Sequence, residues 1–169
     1  MQKKGVVKSL SFWLAITIVI IDILVITGSF QKWFRLSGEL WGESIHHWFS
    51  YVGAGFIAIY LPFFLILKRR FPNSMKNLRS VHVFGNLLAV AAISIHFSHH
   101  LTRPPEAFPA LGTGVALISA LGILVITGFV LRFQFARKSW SSWRWVHSGM
   151  VLSFYLIIIL HVLHGLGVI

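Results

Sequence analysis

There is no cysteine anywhere in the 169 residues of this chain. Its absence excludes disulfides, thiolate metal sites, cysteine-held iron–sulfur clusters and haem attached through C-x-x-C-H, so any redox chemistry must rest on histidine. Nucleotide signatures are missing as well. No G-x-G-x-x-G follows a strand and no G-x-x-x-x-G-K-[ST] occurs, while the GTG at 112–114 opens an apolar run and makes a poor phosphate loop. The chain carries no nucleotide-binding domain of its own. Charge is scarce too: charged residues make up 11% of the sequence and hydrophobic ones 56%, a balance that a water-soluble domain of this size could not hide.

Apolar runs fall at about 10–30, 45–67, 80–101, 111–133 and 145–167. Each is close to the ~20 residues that cross a ~30 Å hydrocarbon layer. The fold class is therefore all-α, an integral membrane bundle of five transmembrane helices, read as a single domain over 1–169. The first run follows Lys3, Lys4 and Lys8. Without an evident small-residue cleavage site it reads as a retained span rather than a signal peptide.

The net charge of +11 raises the question of nucleic acid, and its distribution answers it. Alternating the loops between two sides collects Lys3, Lys4, Lys8, Lys68, Arg69, Arg70, Lys76, Arg79, Arg132, Arg137, Lys138 and Arg144 on one side, twelve of the fifteen basic residues. The other side receives Lys32, Arg35 and Arg103 with Glu39, Glu43 and Glu106. The asymmetry predicts a prokaryotic cytoplasmic membrane protein with its N-terminus inside and its C-terminus outside. The partners are then the lipid bilayer, with anionic lipid beside the basic loops, and no nucleic acid. The segment 31–44, QKWFRLSGELWGES, has the mixture of Trp, Phe, Leu and polar residues expected either of a short helix at headgroup level or of an aromatic-belt loop.

Two internal echoes accompany this pattern. ILVITG occurs at 23–28 and again at 123–128, and at the same offset His47 matches His147, as an inverted repeat or as chance in an Ile/Val/Leu-rich chain. At an offset of 65, Arg79, His82, His96 and His99 match Arg144, His147, His161 and His164. Helices three and five are expected to run in the same direction, so matched histidines lie at matched depths.

The separations His82 to His96 and His147 to His161 are both fourteen residues. Along a helix that is about 21 Å, and two heptads return both imidazoles of each helix to one seam. Facing helices then give two couples, His82 with His147 near the inner side and His96 with His161 near the outer side. A porphyrin held edgewise between helices needs such opposed couples, and isolated couples without a carboxylate or thiolate favour haem over zinc. Iron with two imidazoles has no open position and suits electron transfer. Arg79 and Arg144, near one turn earlier, serve either as propionate partners or as positive-inside anchors.

On these residues the chain resembles the membrane b-type cytochromes, both the ferric reductase and NADPH oxidase transmembrane domain and the small cytochrome b subunits of respiratory dehydrogenases. The resemblance rests on H-x13-H in two helices, on Arg-x-Val-His at 79–82 and 144–147, and on Gly85 and Gly149, where a flat macrocycle could approach. It covers helices three to five, and implies two haems b held between helices, a quinone, and other redox subunits of a membrane complex as partners.

Some alternatives stay open at this level. His99 and His164 are spaced to replace His96 and His161 as the outer couple, and His47 is a further candidate ligand. His46, His47, His99, His100 and His164 are expected at the outer side, where imidazoles titrating near neutrality suit proton exchange at a quinone. Asp22, inside the first span, is a candidate proton relay or a neutral hydrogen-bonding group. The expected function is electron transfer across the bilayer. The rival readings are a transmembrane ferric or metal reductase and, from another class, a histidine-lined metal or proton transporter.

Overall fold

The computed structural model describes residues 9–33, 38–41, 43–102, 106 and 112–168. Lys3, Lys4, Lys8, Phe34, Arg35, Leu36 and Arg103, used above to assign sides and the 31–44 segment, lie outside the described residues. Five long helices dominate: α1 (Leu10–Phe30), α2 (Ile45–Arg70), α3 (Met75–His100), α4 (Gly112–Phe133) and α5 (Trp140–Gly165). Each is long and apolar enough to cross a membrane, which gives the chain the build of an integral membrane protein. In hydrocarbon the helix satisfies every backbone donor and acceptor within one segment, and so apolar runs of this length have no other open conformation.

The helix ends follow local chemistry. Ser9 caps α1 by accepting from the Phe12 backbone N–H at 3.2 Å. Lys68, Arg69 and Arg70 occupy the last turn of α2, where cations meet the negative end of the helix dipole. Single 3-10 turns at Pro72–Ser74 and Arg137–Ser139 lead into α3 and α5.

The chain forms two compact units, Met1–Thr102 and Arg103–Ile169. In the first, α1 and α2 both pack on α3; in the second, α4 packs on α5. Small residues line the seams, since apolar lipid gives no hydrophobic drive and close backbone approach must supply the packing. Ala15, Gly28 and Ser29 are the buried residues of α1, and Ser94 and Ser98 of α3 are almost fully enclosed. The tightest approach is at Gly53 of α2, where a Cβ would stand 2.6 Å from the Ala89 carbonyl oxygen and 3.0 Å from Ile93 Cγ1. Large apolar side chains such as Ile21, Ile59, Leu88, Ile126 and Leu156 are exposed, as lipid-facing positions require.

The structure bears on two readings that the sequence leaves open. The described part of 31–44 contains no helix; Glu39–Leu40 (β1) pairs antiparallel with Glu43–Ser44 (β2), a ribbon tied down by the Trp48 indole donating to the Leu40 carbonyl at 2.9 Å. Trp41, at the turn between the strands, has φ 54°, outside the helical range. The ILVITG echo is likewise not repeated in packing. Its second copy faces α5, whereas α1 packs on α3, Thr27 is exposed, and His47 takes Glu43 as its partner.

Gly53→Leu is expected to pry α2 from α3 and to cost about 1–3 kcal/mol of stability. Gly55→Leu, at a position with no atom within 4 Å of the added Cβ, is its control. Denaturant titration of the two variants in detergent checks this, and equal stability of the pair would remove the close contact from the account.

Candidate functional site

Antiparallel packing of α2 on α3 brings the start of one helix against the end of the other. His46 and His47 stand in the first turn of α2, and His96 and His100, one turn apart on one face, end α3. One candidate ligand nitrogen from each of these four lies within 4.8 Å of all the others. His46 is buried and stacks on His99 with ring centroids 3.7 Å apart and planes 14° apart, while His47 and His96 rings approach to 5.2 Å. The structure therefore gathers His46, His47, His96, His99 and His100 at one end of the first unit, and His164 belongs to the last turn of α5 in the second.

The orientation of His47 has a specific cause. Its Nδ1 donates to the Glu43 carboxylate at 2.9 Å, four residues earlier on β2, which turns Nε2 to the side away from that bond. A carboxylate behind a histidine is the usual support of a metal-ligating imidazole. Below the cluster, the α1–α3 seam holds Asp22 beside Ser94, whose hydroxyl is its polar neighbour without the geometry of a formed hydrogen bond. Ser94 is within two helical turns of His100.

His82, at the other end of α3, lies against the aromatic side of α2. Its ring stacks on Phe64 at 4.6 Å, and Asn86, one turn later, meets its Nδ1 at 3.2 Å. The notch at Gly85 receives the Phe56 ring. Gly149 of α5 has open space, among the described residues, where a side chain would stand. Arg79 and Arg144 are both exposed.

In the second unit, α4 faces α5 with a regular correspondence. The doublet Thr-Gly occurs at 113–114 and at 127–128, fourteen residues apart, the separation that also divides His147 from His161. The helices run in opposite directions, so each doublet meets one histidine. Thr127 Oγ1 lies 2.8 Å from His147 Nδ1, and Thr113 Oγ1 lies 2.9 Å from His161 Nδ1. The glycine after each threonine lies beside the ring: an added Cβ would be 3.6 Å from His147 Cε1 at Gly128 and 3.7 Å from His161 Cε1 at Gly114. The expected couples, His82 with His147 and His96 with His161, each take one residue from each unit.

Thr113, Thr127, Glu43 and Asn86 were not among the residues singled out from the sequence. A signal for the threonines was present in the Thr-Gly doublets, whose spacing copies that of the histidines. For Glu43 and Asn86 it was the four-residue distance to His47 and His82.

Compared with protein-family models, characterised proteins and solved structures, the chain shows no match. Its class is that of a helical membrane protein with a histidine cluster. Five apolar helices with such a cluster are compatible with a membrane haem protein, and the four imidazoles can hold a transition metal or take part in a haem site.

Glu43→Gln is expected to lower the affinity of the protein for Co2+ by about 10-fold, through loss of the carboxylate behind His47. Titration followed in the visible bands of the bound ion measures it. An unchanged affinity in the variant would exclude His47 as a carboxylate-supported ligand.

Proposed function

We propose that this chain is a membrane b-type cytochrome subunit that carries electrons across the bilayer on two haems b. The observation that supports it best is the pair of threonine-held imidazoles on α5, His147 and His161, set fourteen residues apart and matching the spacing of His82 and His96 on α3. The donor chemistry fits the group. These four residues offer neutral nitrogen ligands, Nδ1 of His147 and of His161 is engaged by a hydroxyl, and the chain has no thiolate to compete. Haem held by two imidazoles supplies one-electron transfer without an open coordination position.

In this reading His82 and His147 serve the inner haem and His96 and His161 the outer one, with His99 and His164, or His47, as the other candidates for the outer site. Arg79 and Arg144 attract the propionates, and the open space at Gly149 admits a flat ring. The remaining imidazoles of the cluster, His46, His99 and His100, with His164, hold and release protons at a quinone, and Asp22 with Ser94 extends that polar path into the first unit. The distribution of basic residues along the sequence supports an orientation with the N-terminus inside and the cluster outside. In this reading the subunit passes electrons between the quinone and a partner redox protein.

A second reading has its own observation. Four imidazoles within 4.8 Å of one another, one backed by Glu43, suit a metal ion as substrate, as in a transmembrane metal reductase or a transporter.

The reduced-minus-oxidised spectrum and the haem-to-chain ratio of purified protein separate these. Sharp bis-imidazole bands with about two haems per chain are expected, falling to about one in His147→Ala and in His161→Ala. A colourless protein that binds Co2+ at the cluster would overturn the cytochrome reading in favour of the transporter. Among coloured preparations, oxidation of the reduced protein by ferric chelate, but not reduction by a quinol, would favour the metal reductase.

A further inference from the structure

The Thr-Gly doublets of α4 do more than fill space beside α5. A neutral imidazole has one protonated and one bare nitrogen, and only the bare one can bind iron. Which nitrogen is bare depends on what the other one touches. At the inner position the answer follows from following the protons. The Thr127 hydroxyl donates to the Ile123 carbonyl at 2.8 Å, so its oxygen meets His147 Nδ1, 2.8 Å away, with a lone pair. Nδ1 must then be the donor, and Nε2 carries the lone pair. At the outer position Thr113 Oγ1 and His161 Nδ1 are 2.9 Å apart; the same tautomer there follows by analogy with the inner doublet, its Thr-Gly sequence and helix pairing being the same.

The adjoining glycines act on the same ring. Cε1 is bonded to both ring nitrogens, and the Cβ positions of Gly128 and Gly114 fall at ordinary contact distance from it. An alanine there would touch the ring at Cε1, and a larger side chain would press on it. Thr-Gly thus joins a hydroxyl that meets Nδ1 to a missing side chain that leaves the ring room at Cε1.

We propose that Thr113 and Thr127 are positioning residues that lock His161 and His147 in the Nδ1–H tautomer and so present Nε2 as a preorganised ligand in hydrocarbon. For the identity of the ligated group this rests on the haem reading above; the tautomer itself does not. Asn86 stands in a related position on α3. With its amide turned over, its oxygen would accept from His82 Nδ1–H and give the same tautomer there.

The test uses the full chain in lipid nanodiscs, with 15N-labelled histidine and no haem. Nitrogen chemical shifts distinguish a protonated Nδ1 from a bare one. Two histidines of the wild type should show a protonated Nδ1 and a bare Nε2 that Thr127→Val and Thr113→Val each disturb one at a time, the signal moving to the opposite tautomer or to an exchanging mixture. Thr→Ser at either position should restore the original shifts, which a loss of packing alone would not explain. In haem-loaded protein the same Val variants should raise the midpoint potential of one haem each, because an Nδ1–H···O bond makes the imidazole a stronger donor to ferric iron. Shifts unaffected by the Val substitutions would overturn the proposal, including the case in which haem content falls. A tautomer change in the Val variants of a protein whose wild type takes up no haem would uphold the positioning role and sink the haem reading instead.

Discussion

A neutral imidazole brings one proton and one lone pair into the membrane, and in hydrocarbon neither can be left to water. This constraint orders much of the molecule. His147 and His161 meet it at Nδ1 through a threonine across a helix seam. His47 meets it through Glu43, while His46 lies buried among other imidazoles. An oxygen on one nitrogen leaves the other nitrogen oriented, so the polar partners demanded by the solvent also fix the ring.

The helix packing serves the same end. Because lipid offers no hydrophobic drive between helices, the seams close through small residues. Gly53 lets α2 lie against the α3 backbone, and the shared axis carries His46 and His47 to His96, His99 and His100. Serines at 94 and 98 continue the α3 seam beneath that cluster. On the α4–α5 side, Gly114 and Gly128 keep space beside the two rings. A bulky side chain at any of these glycines would act on a histidine through the backbone or through the ring itself.

Much of the architecture was legible as hydropathy. The apolar runs at 10–30 and 111–133 match α1 and α4 nearly residue for residue, and α2, α3 and α5 extend further at their basic ends because Lys, Arg and Trp side chains there sit comfortably at headgroup depth. The 31–44 segment was ambiguous, since its aromatic and polar residues suit an interfacial helix and an aromatic-belt loop alike; in the described part the structure has two short paired strands and no helix. The ILVITG repeat was ambiguous for a similar reason, as identical apolar hexapeptides specify a helix but not which neighbour it packs on.

The sequence by itself determined the number and length of the spans, the confinement of redox or metal chemistry to histidine, and the fourteen-residue spacing, because each depends on composition or on the rise of a helix. Only the tertiary structure decided which oxygen faces which imidazole. That choice depends on helix rotation and direction: Thr127 must be turned to His147, Glu43 must fold back over the start of α2, and α2 must run against α3 before four ring nitrogens can meet. Hydropathy is nearly blind to such rotations, since lipid accepts any apolar face, and the few polar contacts between helices are what select one.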